Sequence, residues 1–244
     1  MSTIKGSRVV VSSYHGETYV AYIDISGFAE IAEDLHSAQR VLNEFYNAIF
    51  EFCENHTTTS PRISIIVASD CAVLFIRNRT ADDRLNGLSL ILDFIKNVNR
   101  HFITSSHSQP FMTTCSIAYG QFDYEDRIEF PDLRKNFLFG RPYIDVVLDQ
   151  KKGKPKIRAG ECRLLRRKMP QTRKRRNDPL FSFVLKRGDR RYFYWMLNNS
   201  EHQHSFDRDY RIAHKSRKRD NYSKVIKVLQ KYIDQGQRHS HILE

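Results

Sequence analysis

The apolar residues of the first part of the chain follow the periods of strands and helices in turn. Residues 19–25 (YVAYIDI) are rich in aromatic and β-branched side chains and end at Ser26-Gly27, so they predict a buried strand. From about Ala29 to Asn55 the apolar residues recur at spacings of three and four, which predicts an amphipathic helix. The first unit of the chain is therefore expected to be a strand followed by a helix.

The next segment predicts a hairpin, a helix and a strand. Residues 62–68 (RISIIVA) and 71–77 (CAVLFIR) flank a polar two-residue break, which is typical of a tight hairpin. Residues 82–103 carry apolar residues on one helical face, and residues 111–119 (FMTTCSIAY) predict a further strand. This order is the βαββαβ plan of ferredoxin-like and palm domains. We therefore expect an α+β fold with an antiparallel central sheet and helices on one face.

The second half of the chain has weaker patterns. Residues 120–135 predict a loop, residues 136–150 a loop that leads into a helix, and residues 181–197 a hairpin. A last amphipathic helix is expected from about Ser223 to Gln235. The predicted organisation has three segments: an N-terminal extension (1–18), a central domain (19–197) and a basic C-terminal extension with an amphipathic helix (198–244).

Composition and charge narrow the class of protein. The hydrophobic content is 40%, and no apolar run approaches the roughly 20 residues that span a bilayer, so no membrane partner is expected. The N-terminus lacks the apolar stretch of a signal peptide, which favours the cytoplasm. The four cysteines form no CxxC pair and are interpreted as structural. The net charge of +12 is concentrated after residue 150, where it predicts either a polyanion-binding surface or a solvated one.

Two aspartates stand out against apolar surroundings. Asp24 lies inside the first predicted strand, and a lone buried carboxylate is costly to ionise without a partner or a metal. Asp70 lies at the break of the hairpin, which the βαββαβ plan places beside the first strand. With the carbonyl of Ile25, the two carboxylates would form a hard oxygen site for magnesium or manganese. The alternative is that each aspartate is only a turn or cap residue.

The residues after Asp24 predict a place for phosphate. Ser26, Gly27 and Phe28 form a turn and the start of a helix, where main-chain N–H groups point outward. Two metal ions at the carboxylates could activate an attacking hydroxyl and neutralise a leaving phosphate. The pattern therefore favours phosphoryl-transfer chemistry.

Five segments in order resemble the motifs of class III nucleotidyl cyclases. YIDISGFAEIAE resembles their first-strand motif, and SIIVASDCAVLF resembles the step between their two apolar strands. SIAYGQF, LFGRPYIDVVLDQ and VLKRGDRRYFYWML resemble their next strand, their glycine-led helix and their closing hairpin. The resemblance covers residues 19–197, and the order and spacing of the motifs carry it.

The resemblance implies a cyclase domain with two metal ions, Mn²⁺ or Mg²⁺, in each site. By position, Asp24 and Asp70 would be the metal ligands, Ile25 would add its carbonyl, and Lys186 would meet the triphosphate. The implied reaction is attack of the ribose 3′-oxygen on the α-phosphate, which closes a 3′,5′-cyclic nucleotide and releases diphosphate. A homodimer with its sites between the subunits is also implied.

The chain departs from the family pattern in its glycine-led helix. Alignment on Gly140 puts Ile144 where a ribose-orienting asparagine stands and Leu148 where a transition-state arginine stands. Neither side chain can donate a hydrogen bond to a developing oxyanion. The chain is therefore either inactive or uses nearby groups such as Arg141 or Asp145, and we favour the substitution.

The positions that read a purine base in the family are also apolar here. They hold Ile66 and Phe137, which would leave the polar edge of a purine without partners. Short, divergent cyclases of this kind resemble the Pycsar pyrimidine cyclases of bacterial antiphage defence, which make cyclic UMP or cyclic CMP to trigger a partner effector. We therefore expect UTP (or CTP) as substrate, with Phe137, Arg141 and Tyr143 narrowing the base pocket. The alternative for Tyr143 is simple packing.

Three other functions fit parts of the sequence. A catalytically silent nucleotide-binding module would explain Ile144 and Leu148. A nucleic-acid-binding protein would explain the basic C-terminal third, but the sheet lacks the aromatic signature of RNA-recognition domains, so nucleic acid is disfavoured as a partner. A nuclease or polymerase palm shares the two aspartates, although this chain leaves little room for finger and thumb domains.

Overall fold

A single eight-stranded sheet forms the centre of the computed structural model, which describes residues 9–56, 61–77, 80–104, 110–130, 133–165, 169–170, 179–215 and 218–240. The strand order is β2-β3-β1-β4-β6-β8-β7, and β5 pairs with β4 beside this path. The strands are β1 (Val9–Ile25), β2 (Arg62–Ala68), β3 (Cys71–Arg77), β4 (Thr113–Phe130), β5 (Leu133–Gly140), β6 (Cys162–Leu164), β7 (Val184–Arg187) and β8 (Arg190–Phe193). The helices are α1 (Phe28–Ile31), α2 (Leu35–Asn55), α3 (Ala81–Thr104), α4 (Arg141–Lys152), α5 (Gln203–Lys215) and α6 (Lys218–Ser240).

The predicted βαββαβ plan is confirmed. The strands β2, β3, β1 and β4 are antiparallel neighbours in that order, and α2 and α3 connect them as the sequence predicts. β6 adds a strand parallel to β4, and the predicted C-terminal hairpin forms as β7 and β8. The fold class is therefore α+β with a largely antiparallel central sheet.

The two faces of β1 supply two separate apolar clusters. Tyr19, Ala21, Ile23 and Ile25 pack on one face with α2 and α3 in the main core. The alternate residues point to the other face, because successive strand side chains alternate. There Val20 packs with Val146 of α4, so α4 covers the face opposite to the other long helices. The expectation of helices on one face thus holds for α2 and α3, whereas α4 lies on the other.

The predicted helix over residues 29–55 is divided in two. Asp34 is in an extended conformation, and its carboxylate accepts hydrogen bonds from the N–H groups of His36 and Ser37, both at 3.2 Å. This is the N-cap arrangement that begins a new helix. The result is the four-residue α1 followed by α2.

The predicted loop over residues 120–135 is wrong. β4 continues to Phe130 and pairs antiparallel with β5, so residues 136–140 are also strand rather than loop. β1 likewise begins at Val9, ten residues before the predicted strand, and pairs with β4 throughout. Apolar and charged residues alternate along this part of β4, as in a half-buried strand, and the high charge hid that pattern. Gly140 ends β5 at a φ of 135°, where a Cβ would collide with the carbonyl of Gln121.

The C-terminal part contains one helix more than predicted. α5 was not expected, and α6 extends beyond the predicted 223–235 at both ends. Phe206 and Tyr210 of α5 and Leu229 of α6 are buried in the main core. The division of the chain after residues 18 and 197 stays a prediction. None of the helices in the described part of the chain combines the length and apolar character needed to cross a bilayer.

Candidate active site

The structure brings the two predicted aspartates together at one end of the sheet. Asp24 is the penultimate residue of β1 and lies opposite Cys71 in the β1–β3 register. The next residue, Ile25, donates its N–H to the carbonyl of Asp70 at 2.9 Å. The turn between β2 and β3 has only two residues because Ser69 takes a left-handed conformation, with a φ of 57°. Asp70 is thereby held beside the end of β1.

Negative charge is concentrated at this point. Burial, and secondarily the charge of Asp70, raises the pKa of Asp24 to about 6. On the same face, burial and the neighbouring Cys71 thiol raise the pKa of Tyr22 well above its ordinary value. Burial also raises the pKa of Cys71. A part-buried carboxylate whose ionisation is disfavoured, beside a second carboxylate, forms a site that a cation would stabilise.

The donor set fits a hard divalent cation. In the described part of the chain, no three side chains of His, Cys, Asp or Glu are grouped to hold a metal. A cation here would therefore bind the carboxylates of Asp24 and Asp70, a main-chain carbonyl such as that of Ile25, and oxygens from a ligand and water. Mg²⁺ is commonly bound in this way, by one or two carboxylates together with substrate phosphates. The residues present thus fit Mg²⁺ or Mn²⁺, and the number of ions stays a prediction.

The turn after Asp24 is only partly available to phosphate. The N–H of Ser26 donates to the carbonyl of Met112 at 2.8 Å and is therefore already used. Gly27 is in the left-handed conformation, with a φ of 77°, and begins α1. The N–H groups of Gly27 and Phe28 remain the candidate donors to phosphate. The Glu30 carboxylate lies close to Gly27, so an anion bound here would need a cation beside it.

Two tyrosines that the sequence did not single out support the site. The hydroxyl of Tyr46 in α2 donates to the carbonyl of Ser69 at 3.2 Å and so holds the β2–β3 turn. The hydroxyl of Tyr222 in α6 accepts the N–H of Met112 at 2.9 Å. Neither contact has a signal in the sequence, because each joins residues that are far apart in the chain.

Lys151 is a third residue that the sequence analysis missed. It lies near the C-terminal end of α4, and its charge lowers the pKa of the Cys71 thiol against the dominant effect of burial. This places an ammonium group within electrostatic reach of Cys71, the residue after Asp70. The antiparallel packing of α4 on β4 explains the position, because the last turn of α4 lies level with the start of β4.

Lys186 does not approach the carboxylates within one chain. It lies on β7, which is four strands from β1 in the sheet, or roughly 19 Å at about 4.8 Å per strand. Its side chain is exposed, and its main-chain carbonyl accepts a hydrogen bond from the side-chain amide of Gln203 at 2.7 Å. Lys186 could meet a triphosphate at Asp24 only from another copy of the chain.

The four candidate base-contacting residues are not grouped in one chain. Ile66 lies on β2, level with Tyr22 through Val73, and packs at the edge of the second cluster. Phe137 lies opposite Glu125 on β4. That position is nine residues along β4 from the level of Tyr22 and Ile66, or roughly 30 Å at about 3.4 Å per residue. Arg141 begins α4, and Tyr143 packs against the second cluster. Arg141 forms an ion pair with Asp145 at 2.8 Å.

The outer face of α4 is apolar where the family pattern requires polar groups. Ile144 and Leu148 are each 45% exposed. Leu148 borders an open cleft of about 970 Å³ between α4 and the β7–β8 hairpin. Lys152, Lys154 and Arg190 also line the cleft, and Lys152 lies one helical turn after Leu148. Positively charged side chains therefore lie near Leu148, the position where the family arginine is missing.

The comparisons with known proteins give similarity to solved cyclase structures. No protein-family model matches the chain, and no curated protein matches it either. The adenylyl cyclase CyaB from P. aeruginosa is 16% identical, with a TM-score of 0.46 over 64% of this chain and 80% of that one. The guanylate cyclase domain of RhGC from Catenaria anguillulae, solved with GTP, is 12% identical, with a TM-score of 0.47 over 63% and 80%. Since these values are low, the functional conclusion is based on the residues of this chain.

Proposed function

We propose that the chain is a metal-dependent nucleotide cyclase that converts UTP (or CTP) to the 3′,5′-cyclic nucleotide and diphosphate. The observation that carries the proposal is the meeting of Asp24 and Asp70 at the end of β1. The raised pKa of Asp24 supports it, because a structural aspartate gains nothing from a second carboxylate beside it. The order of the resembling motifs supplies the reaction class.

The chain's own residues would bind and orient the substrate. Asp24 and Asp70 would hold the divalent ions, which when bound supply charge neutralisation at the triphosphate and a lower pKa for the ribose hydroxyl. The N–H groups of Gly27 and Phe28 would contact phosphate oxygens at the first turn of α1. With the ribose 3′-oxygen in line with the α-phosphate, its attack forms the new ester bond as diphosphate leaves, and its proton passes to solvent. Positioning and charge neutralisation account for most of the rate in such transfers.

A second copy of the chain would complete each site. Lys186 lies four strands from the Asp24 of its own chain, whereas a two-fold partner could present it to that site together with the cleft beside Leu148. Phe139 is 66% exposed and Ile144 is 45% exposed, so the β4–β5 hairpin and α4 offer apolar surface for contact. In such a homodimer, Lys152 or Arg190 of the cleft would replace the missing arginine.

The preference for a pyrimidine rests mainly on Ile66. Its side chain packs on apolar neighbours at the edge of the second cluster and cannot bind the polar edge of a purine. Tyr143 also packs against the second cluster, and its ring would limit the depth of the pocket for the base. Phe137 and Arg141 could contact a base only in the dimer. The product would act as a second messenger for a cyclic-nucleotide-responsive effector in antiphage defence, a role that the Pycsar resemblance supplies.

A catalytically silent nucleotide-binding module is the second candidate. The apolar, exposed Ile144 and Leu148 on α4 favour it, because neither side chain can donate a hydrogen bond. Both candidates predict that the protein binds metal and nucleotide, but only the cyclase predicts turnover of the nucleotide.

Incubation of the purified protein with Mn²⁺ and each of ATP, GTP, CTP and UTP separates the candidates. Products are resolved by chromatography and mass spectrometry, with Asp24→Asn and Asp70→Asn as matched variants. A cyclic mononucleotide from one pyrimidine triphosphate, absent in both variants, is the expected result. Nucleotide binding without any product would favour the silent module, and a purine product would refute the pyrimidine preference.

A further inference from the structure

Tyr222 connects the C-terminal helix to the main chain behind the carboxylate pair. Its hydroxyl accepts the N–H of Met112 at 2.9 Å and lies 3.5 Å from the carbonyl of Ser26, to which it donates. Met112 directly precedes β4, and Ser26 directly follows β1. One side-chain hydroxyl therefore joins the ends of the two central strands at the point where Asp24 projects.

This hydroxyl completes a short closed network. The N–H of Ser26 already donates to the carbonyl of Met112 at 2.8 Å, so the two residues are joined directly and again through Tyr222. The ring of Tyr222 also approaches Gly27, where a Cβ would lie 3.9 Å from its Cε2. The residues between Asp24 and α1 are thus held from behind by hydrogen bonds and by an aromatic ring.

The tyrosine is suited to a fixed structural contact. It packs half-buried against the main core, on the face opposite to the Asp24 side chain. Burial raises the pKa of Tyr222 to about 12, so the hydroxyl keeps its proton and can donate and accept at the same time. α6 is itself anchored in the core by Val225, Leu229 and Ile233.

We propose that Tyr222 is a positioning residue for the candidate active site, which makes α6 part of the site's support. The metal-related consequence rests on the proposed cyclase function. Without the hydroxyl, Met112 loses its acceptor and the Ser26 carbonyl loses a donor, so the backbone that carries Asp24 and Gly27 loosens. Metal and phosphate would then be held less firmly, because support behind the ligands affects affinity.

The test compares two tyrosines of the same helix. Tyr222→Phe keeps the ring and removes the bridging hydroxyl, whereas Tyr232→Phe removes a hydroxyl that donates to Asp209 at 3.1 Å. Amide hydrogen exchange is measured in both variants and in the wild type, without metal or nucleotide. The amides of Ile25 and Ser26 are expected to exchange roughly five- to tenfold faster in Tyr222→Phe only, as loss of one such hydrogen bond implies. Equal changes in both variants, or a change confined to Met112, would overturn the proposal.

A second readout follows the divalent-metal concentration that gives half-maximal cyclase activity. It is expected to rise roughly three- to tenfold in Tyr222→Phe and to change less than about twofold in Tyr232→Phe, with kcat at saturating metal nearly unchanged. Thermal unfolding of both variants controls for general destabilisation. If the wild type makes no cyclic nucleotide, the proposed function fails, and the exchange rates of Ile25 and Ser26 still decide the role of Tyr222.

Discussion

Replacement of Asp24 by asparagine is expected to stabilise the metal-free protein while removing its activity. Burial and the charge of Asp70 raise the pKa of Asp24 from 3.8 to about 6, so ionisation of this carboxyl is less favourable in the folded state than in the unfolded chain. The folded state therefore binds the proton more tightly between about pH 4 and pH 6. The free energy of unfolding falls as the pH rises through this window, and the full cost is present above pH 6.

The size of the effect follows from the shift. A shift of about 2 pKa units corresponds to roughly 3 kcal/mol at 1.36 kcal/mol per unit. Because Asp24 is partly exposed and solvent screens its charge, we expect about 1–1.5 kcal/mol for the neutral variant at pH 8. For a chain of this size that gain corresponds to an increase of about 3–5 °C in Tm.

Bound metal should reverse the order of stability, so that the wild type becomes more stable than Asp24→Asn. A cation at 100 times its Kd stabilises the form that binds it by about 2.7 kcal/mol, and Asp24→Asn would lack that gain. The assay is thermal unfolding at pH 8 with and without Mn²⁺ and a nucleoside triphosphate. Asp209→Asn is the control of opposite sign, because its hydrogen bond to Lys231 lowers the pKa of Asp209 and its neutralisation should cost stability. The reasoning is refuted if Asp24→Asn is not more stable without metal, or if metal stabilises it as much as the wild type.

Three further results are expected. Mixing inactive Asp24→Asn with inactive Lys186→Ala should restore about one quarter of wild-type activity, because half of random dimers are mixed and each mixed dimer has one intact site. No recovery of activity despite subunit exchange would contradict sites shared between subunits. Arg163→Met should cost about 3–5 kcal/mol in urea unfolding, because it leaves the buried Asp149, whose Oδ1 lies 2.9 Å from the guanidinium, without its ion-pair partner. A loss below about 1 kcal/mol would count against that pair. Activity at limiting Mn²⁺ should fall on acidification, approaching about tenfold per pH unit below pH 6, as Asp24 gains its proton. A flat pH profile of activity down to pH 5 would exclude Asp24 as a metal ligand.

The central plan of the fold was predictable because its strands are nearly uninterrupted apolar runs. In residues 19–25 and 71–77 most side chains are buried, so both the strand and its polar exception, Asp24, stand out in the sequence. The β4–β5 hairpin was missed for the opposite reason. Of its described side chains, Phe122, Tyr124 and Leu138 pack in the second cluster, and charged residues are interspersed between them in the sequence. A half-buried strand with charged alternate residues is easily taken for a loop.

The candidate site was predictable only where it is built from neighbouring strands. Asp24 and Asp70 meet because β1 and β3 are adjacent in the predicted plan. Tyr222 and Lys151 act through tertiary packing of helices against the ends of strands, which periodicity does not reveal. Lys186 was assigned by the order of motifs, and one chain alone places it four strands from β1.

The most direct test of the central claim is a Mn²⁺ titration followed by electron paramagnetic resonance in the presence of UTP. The proposed function predicts saturable binding of two ions per site to the wild-type protein. Asp24→Asn and Asp70→Asn should each lose most of that binding while Asp209→Asn retains it. Wild-type protein that binds no Mn²⁺, or binding that survives both substitutions, would contradict a role for these two carboxylates in holding metal.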